Sequence, residues 1–317
     1  MGEVAARILQ FRKPRMISVW DSSTRDLDRR AASGWAPVAL VDSHVHLHRC
    51  FEPAAFLDAA ARNFRQAMAA LHLPFLSRPV PGCLLLAEMH GEHAFRRLCQ
   101  GIGKEDGGWS FHPTEEPGAL LAVKQGEGEG GGPADTLVLI AGRQIRTHEG
   151  LEVLALATTE GFPDGLTFAG AVERVHWSGA LPVVPWGFGK WWGERGGLVE
   201  RLLEAPEREA VFLGDNAGRP AIAPRPSLFR VAEKQGVPVL PGSDPLPLPG
   251  HVSRPGSYGF LLDADLDPLR PAATLSAAVR RVRRLGERLK PFGRCSGFLD
   301  FCRDQSALRK RYPATAS

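Results

Sequence analysis

Residues Val41-Asp42-Ser43-His44-Val45-His46 set two imidazoles and a carboxylate at alternate positions directly after an apolar run. On an extended strand, residues two apart point to one side, so His44 and His46 are expected to present their rings together, with Asp42 on the same face. Two imidazoles converging at the C-terminal end of a strand can hold one divalent metal, and a carboxylate beside them can orient a ligand. The plain alternative is a polar strand end, since His-x-His alone is a weak signal. A second run, Val237–Leu240, leads into Pro241-Gly242-Ser243-Asp244. There Asp244 can ligate metal or take a proton from an activated water. Its alternative is a carboxylate capping the turn before Pro245.

The elements that must position these groups are read from seven apolar runs: Val38–Val41, Gly82–Ala87, Thr136–Ala141, Val153–Ala157, Leu181–Val184, Ala210–Leu213 and Val237–Leu240. Continuous rather than alternating runs are typical of strands covered on both faces. Helical patterns lie between several of them. Phe56, Ala60, Phe64, Ala67 and Leu71 mark one helix face after Pro53, and Leu275, Val279, Val282, Leu285 and Leu289 mark another near the C-terminus. Alternating strands and helices imply parallel crossovers. The expectation is an α/β fold: a single TIM-like, distorted β/α barrel of about seven strands. It would comprise an N-terminal extension over 1–36 and a barrel domain over 37–317 that includes the C-terminal helix. Runs three and four are joined only by Gly142–Glu152, too short for a helical crossover, which predicts a hairpin there. The Gly/Glu-rich stretch Lys124–Pro133 reads as a loop.

The chain has 317 residues, five scattered cysteines and a formal net charge of +4. No cysteine pair has zinc-knuckle or redox spacing, and no apolar run reaches the ~20 residues of a membrane span. The first residues hold no long apolar segment of the kind that precedes a signal cleavage site. A cytoplasmic protein without a membrane segment is expected, and a small charge surplus alone does not indicate nucleic-acid binding.

Asp42-Ser43-His44-Val45-His46-Leu47-His48 and Val237–Asp244 together resemble metal-dependent hydrolases: the amidohydrolase superfamily and, more closely, the polymerase-and-histidinol-phosphatase (PHP) superfamily. Leu84–His90 is similar to the family's second-strand segment, which ends in an acidic residue and a metal-binding histidine, here Glu88 and His90. Leu139–Ile145 followed by Gly150–Leu156, and then Gly179–Trp186, are similar to further family segments. The resemblance implies hydrolysis of a phosphoester or C–N bond by one or two divalent ions (Zn, Mn or Fe) on His44, His46, His90 and Asp244. The sequence departs from the family at three places. Gln144 stands where a bridging Glu is expected, Trp186 where a His is expected, and Leu246 in place of the final His. These departures give the competing reading, a catalytically degenerate relative that binds or scaffolds without turnover.

Further candidates are weaker. Asp244 as proton acceptor, with Arg219 and Lys190 steadying developing charge, would suit a small, anionic substrate. Asp215 and Asn216 follow a strand and would face the same mouth. Trp186, Trp191 and Trp192 can line a pocket. His93, His112 and His148 read as ordinary surface or loop residues, whereas His251 is a candidate for the missing late histidine. The arginines at 280, 281, 283, 284 and 288 are expected to form a solvated helix face rather than a nucleic-acid surface, because no aromatics interleave. Oligomeric state is not legible.

Overall fold

The computed structural model describes residues 35–73, 79–124, 135–205 and 210–311. Most of the 1–36 extension and nearly all of the Gly/Glu-rich stretch lie outside them. Strand β1 (Val38–Val45) leads to helix α1 (Pro53–Ala70) and β2 (Gly82–Leu86). Helix α2 (Ala94–Gln100) is followed by β3 (Glu105–Asp106), β4 (Trp109–Pro113), β5 (Ala119–Lys124) and β6 (Thr136–Ile140). Then come β7 (Gly142–Arg146), β8 (Glu152–Leu156), α3 (Phe168–Trp177), β9 (Leu181–Pro185) and α4 (Glu194–Glu204). Strand β10 (Phe212–Asn216), α5 (Ser227–Lys234) and β11 (Val239–Gly242) precede a 3₁₀ turn at Pro249–Ser253. The chain closes with β12 (Tyr258–Asp263), α6 (Pro271–Leu285), β13 (Lys290–Gly293) and α7 (Phe298–Arg311). All seven apolar runs form strands.

They do not form a single barrel. The strands make two mixed sheets, one of eight in the order β13-β12-β1-β2-β6-β5-β4-β3 and one of five in the order β11-β10-β9-β8-β7. Only β1/β2, β2/β6, β9/β10 and β10/β11 are parallel. The barrel expectation fails because antiparallel strands outside the seven runs, β3–β5, β12 and β13, extend the first sheet. The predicted hairpin also differs. Runs three and four are β6 and β8, which belong to different sheets, and it is β7, within their short connection, that pairs with β8.

Helix α1 starts where Pro53 fixes the first turn, and the Glu52 carboxylate caps it through the N–H groups of Ala54 (3.1 Å) and Ala55 (2.6 Å). Its predicted face, Phe56, Ala60, Phe64 and Ala67, is buried against β1, β2 and β6. Helix α6 ends at Gly286 in the left-handed conformation. Its arginines are not simply a solvated face. Arg280 donates to the carbonyls of Gly179 and Ala180, Arg281 to that of Asp263, and Arg283 to that of Val211. No described helix is long and apolar enough to cross a membrane.

Strand β1 carries a bulge. Asp42 pairs in register with Leu84 and Val45 with Leu86, so one extra β1 residue sits between them. The packing shows the consequence. Leu40 and Val45 lie in one apolar cluster with α1, although strict alternation would oppose them, while Ala39 and Val41 lie in the other cluster. Asp42 therefore shares the α1-facing side with Leu40, and the expectation that it sits on the His44–His46 face is corrected.

The two sheets pack across a shared apolar cluster that includes Val41, Leu85, Ile140, Leu154, Val183 and Leu240, and two glycines let their backbones approach closely. At Gly142 on β7, a Cβ would lie 2.4 Å from the Leu86 carbonyl oxygen on β2. At Gly242 on β11, a Cβ would lie 2.5 Å from both the Cβ and the backbone nitrogen of His44. Overpacking at such a contact costs about 1–3 kcal/mol. We expect Gly242→Ala to lower the thermal midpoint by several degrees. Gly161→Ala, where a Cβ meets nothing within 4 Å, should leave it nearly unchanged. Differential scanning calorimetry of both variants checks this, and equal midpoints would refute the close-contact assignment.

Candidate metal centre

The joint between β1 and β11 aligns three side chains. Ser43 Oγ donates to the Pro241 carbonyl (2.9 Å), and the Asp244 N–H donates to the His44 carbonyl (2.8 Å). The Asp42 carboxylate accepts from the backbone N–H groups of Ser243 (2.8 Å), Gly256 (2.8 Å) and His44 (3.3 Å). Asp42 thus ties the strand bearing the histidines to the turn bearing Asp244. Asp244 itself has φ of 45°, a left-handed conformation that aspartate adopts more readily than most residues.

The result is a convergent trio. His44 Nε2 and His46 Nε2 are 3.0 Å apart, and Asp244 Oδ1 is 3.6 Å from the first and 3.5 Å from the second. A tetrahedral ion with bonds of about 2.1 Å has ligand–ligand edges of about 3.4 Å. The three spacings bracket that edge. Among the described residues this is the one group of three or more such side chains whose ligand atoms gather closely enough for a metal. The donor set, two imidazoles and one carboxylate, suits zinc, manganese or iron.

Electrostatics support the same use. Burial, and then the neighbouring His44 ring, push the His46 imidazole down to about 3, so it stays neutral, the ligating form. Burial alone would raise the Asp244 carboxyl, but the His44 and His46 rings and the Lys190 ammonium outweigh it and hold it below the usual carboxylate range. Asp244 Oδ2 accepts from Asn216 Nδ2 (3.0 Å), which also donates to the Trp186 carbonyl (2.7 Å). Gln144 Oε1 lies 3.1 Å from His44 Nε2. The bridging-carboxylate position of the resemblance is thus occupied by a neutral amide at the site itself.

Two groups escaped the sequence reading. His48 is buried, its ring stacked on that of His46 with centroids 5.1 Å apart and planes 14° apart. Its Nε2 donates to the Pro245 carbonyl (2.9 Å), and its Nδ1 faces Glu92 Oε1 at 3.2 Å. The run His44-x-His46-x-His48 carried the signal, a third imidazole continuing the same period. Glu92 carried none, being brought in by the turn before α2.

The other expected residues lie elsewhere. His90 is exposed and is not one of the three residues brought together. Lys190 reaches the field of Asp244 but is ion-paired with Glu152. On β10, Asn216 faces the site while its neighbour Asp215 points the other way, as alternation requires. Asp215 accepts there from Arg219 Nε (3.0 Å) and Nη2 (2.9 Å) and from the Tyr258 hydroxyl (2.9 Å). Arg219 is committed to that buried pair and is not part of the trio's surroundings. His251 accepts from the Leu246 N–H and contacts Asp304 of α7 at 3.1 Å, so it fixes the loop after Asp244 rather than joining the trio. His112 is held by Ser110 on β4. Glu88 pairs with Arg143 (2.7 Å).

No protein-family model matches this sequence, and no curated protein matches it. Among solved structures, PsfC from Pseudomonas syringae PB-5123 is similar at 13% identity and a TM-score of 0.48, covering 86% of this chain and 98% of that one. The lesion-specific endonuclease PfuEndoQ from Pyrococcus furiosus is similar at 13% identity and a TM-score of 0.43, covering 77% of this chain. The chain spans 56% of the endonuclease's length.

Burial pushes the Asp42 carboxyl up to about 7 against the pull of its N–H donors. The folded chain therefore holds a proton that the unfolded chain has released. This contribution to stability is complete below the ordinary value of 3.8 and is lost as pH rises through about 7. We expect urea stability of the metal-free protein to fall between pH about 4.5 and about 7.5 more steeply in wild type than in Asp42→Asn. Identical slopes would contradict the burial of this carboxyl.

Proposed function

We propose that this chain is a metal-dependent hydrolase acting on a phosphoester or C–N bond, with one divalent ion held by His44, His46 and Asp244. The observation that carries this reading is the convergence of the three ligand atoms at tetrahedral-edge spacing. Three protein ligands leave a coordination position open, the arrangement of catalytic rather than structural sites. A divalent ion held there by His44, His46 and Asp244 would supply Lewis acidity and activate water as a nucleophile.

The protein groups then have separable tasks. Asn216 holds Asp244 Oδ2, which turns Oδ1 towards the imidazoles. Oδ2 is the oxygen placed to take a proton during attack. His48, stacked on His46 and fixed by Glu92 and Pro245, keeps the second ligand ring in place. The Lys190 ammonium is the cation near Asp244 that an anionic reacting group would meet. His90 and Arg219 have no part in this arrangement. The PHP-like character of the site rests on the motifs around His44, His46 and Asp244.

One observation favours a second reading, in which metal is held without turnover. Gln144 presents a neutral amide to His44 where the resemblance calls for a bridging carboxylate. Elemental analysis of wild type beside a His44→Ala, His46→Ala variant separates the readings when joined to a phosphoester and amide hydrolysis screen. We expect about one equivalent of Zn, Mn or Fe, lost in the variant, with hydrolysis abolished by Asp244→Asn. Metal without hydrolysis would support the second reading, and no metal after reconstitution would sink both. Asn216→Ala should weaken metal binding by about 10–100-fold, read by competition with a chromophoric chelator.

A further inference from the structure

Past β1 the chain runs through His48 and Arg49 to Phe51, forming one wall of a cavity of about 650 Å3. Helix α2 and the segment after it form the opposite wall. Buried Leu47, Phe51, Leu98 and Phe111 give the cavity an apolar interior. Three exposed cations stand around it, Arg49 from the first wall, Arg97 from α2 and Lys104 from the loop beyond. No ion pair among the described residues engages any of them. The cavity adjoins the metal centre through one side chain, because His48 both lines it and stacks on His46.

We propose that this cavity is an anchoring subsite for an organic anion, one carboxylate or phosphate group on an apolar body. Arg49, Arg97 and Lys104 would hold the anionic group apart from the bond presented to His44, His46 and Asp244. The link to a cleaved bond rests on the hydrolase reading, but the binding does not. The volume suits a small organic molecule. Guanidinium forks match the planar geometry of carboxylate and phosphate oxygens. Three cations are brought to one cavity from separate segments, and no ion pair among the described residues engages them. Glu105 and Asp106 also line the cavity, but they are neighbours in one short strand and leave three positive groups against two negative ones. Apolar contact with Phe51 and Phe111 then distinguishes an organic anion from a bare inorganic one.

The test is isothermal titration of the full chain, stripped of metal by chelation, with phenyl phosphate, benzoate and neutral benzyl alcohol. Wild type should bind at least one anion and not the alcohol. Arg49→Gln with Arg97→Gln should weaken that binding about tenfold or more, as expected for lost charge-assisted hydrogen bonds, and Arg49→Lys with Arg97→Lys should restore part of it. His44→Ala with His46→Ala should leave it unchanged, which separates this subsite from the metal centre. Tighter phenyl phosphate assigns the subsite to phosphoryl groups, and tighter benzoate to carboxylates. No anion binding, equal binding of the alcohol, or weakening by the histidine substitutions in place of the arginine ones would overturn the proposal.

Discussion

The grip of Asp42 on the turn beyond β11 is the constraint on which the rest of the site depends. One buried carboxylate takes backbone N–H groups from Ser243 and Gly256, two points on the chain about 200 residues away, and from His44 beside it. Those N–H groups would otherwise be left without partners at a sheet junction, at about 1–3 kcal/mol each. The same joint supplies the Asp244-to-His44 backbone bond. It also leaves Asp244 in a left-handed conformation that costs about 1–2 kcal/mol and persists only where its surroundings determine it. The ligand geometry is therefore a property of the junction between the sheets rather than of any single strand.

That junction also explains the electrostatics. Bringing β11 against the end of β1 buries two imidazoles beside one carboxylate. Burial disfavours charge on His46, whereas the rings and Lys190 favour it on Asp244. A neutral nitrogen donor beside an ionised oxygen donor is the protonation pattern a divalent cation needs. Asn216 completes it by pinning the second carboxylate oxygen.

The convergence of His44, His46 and Asp244 was legible in the sequence because short-range periodicity survives local distortion. His44 and His46 stay on one face, since the bulge lies before Val45 and moves only Asp42 relative to them. Asp244 was legible as the polar end of an apolar run. The strands themselves were legible, but their arrangement was not. Apolar runs reveal burial but not pairing direction. Trp109 and Phe111 alternate in β4 and Ala119–Val123 is apolar in β5, while the short β3 and β13 carry little pattern. None of these states that one sheet widens to eight strands. His90 was misplaced because the turn after β2 carries it into solvent, which no local pattern states. Arg219 was misplaced because Asp215 and Asn216, adjacent in sequence, must face opposite sides of β10. Glu92 reaches the site through a turn that only the folded chain defines, whereas Gln144 lies beside His44 at the position the resemblance had marked.

Anomalous diffraction at the metal absorption edge, on crystals grown with one equivalent of zinc, tests the central claim most directly. The account predicts a single strong peak about 2.0–2.2 Å from His44 Nε2, His46 Nε2 and an Asp244 carboxylate oxygen. A peak at another group of residues, or no peak at these three in zinc-containing crystals, would contradict it.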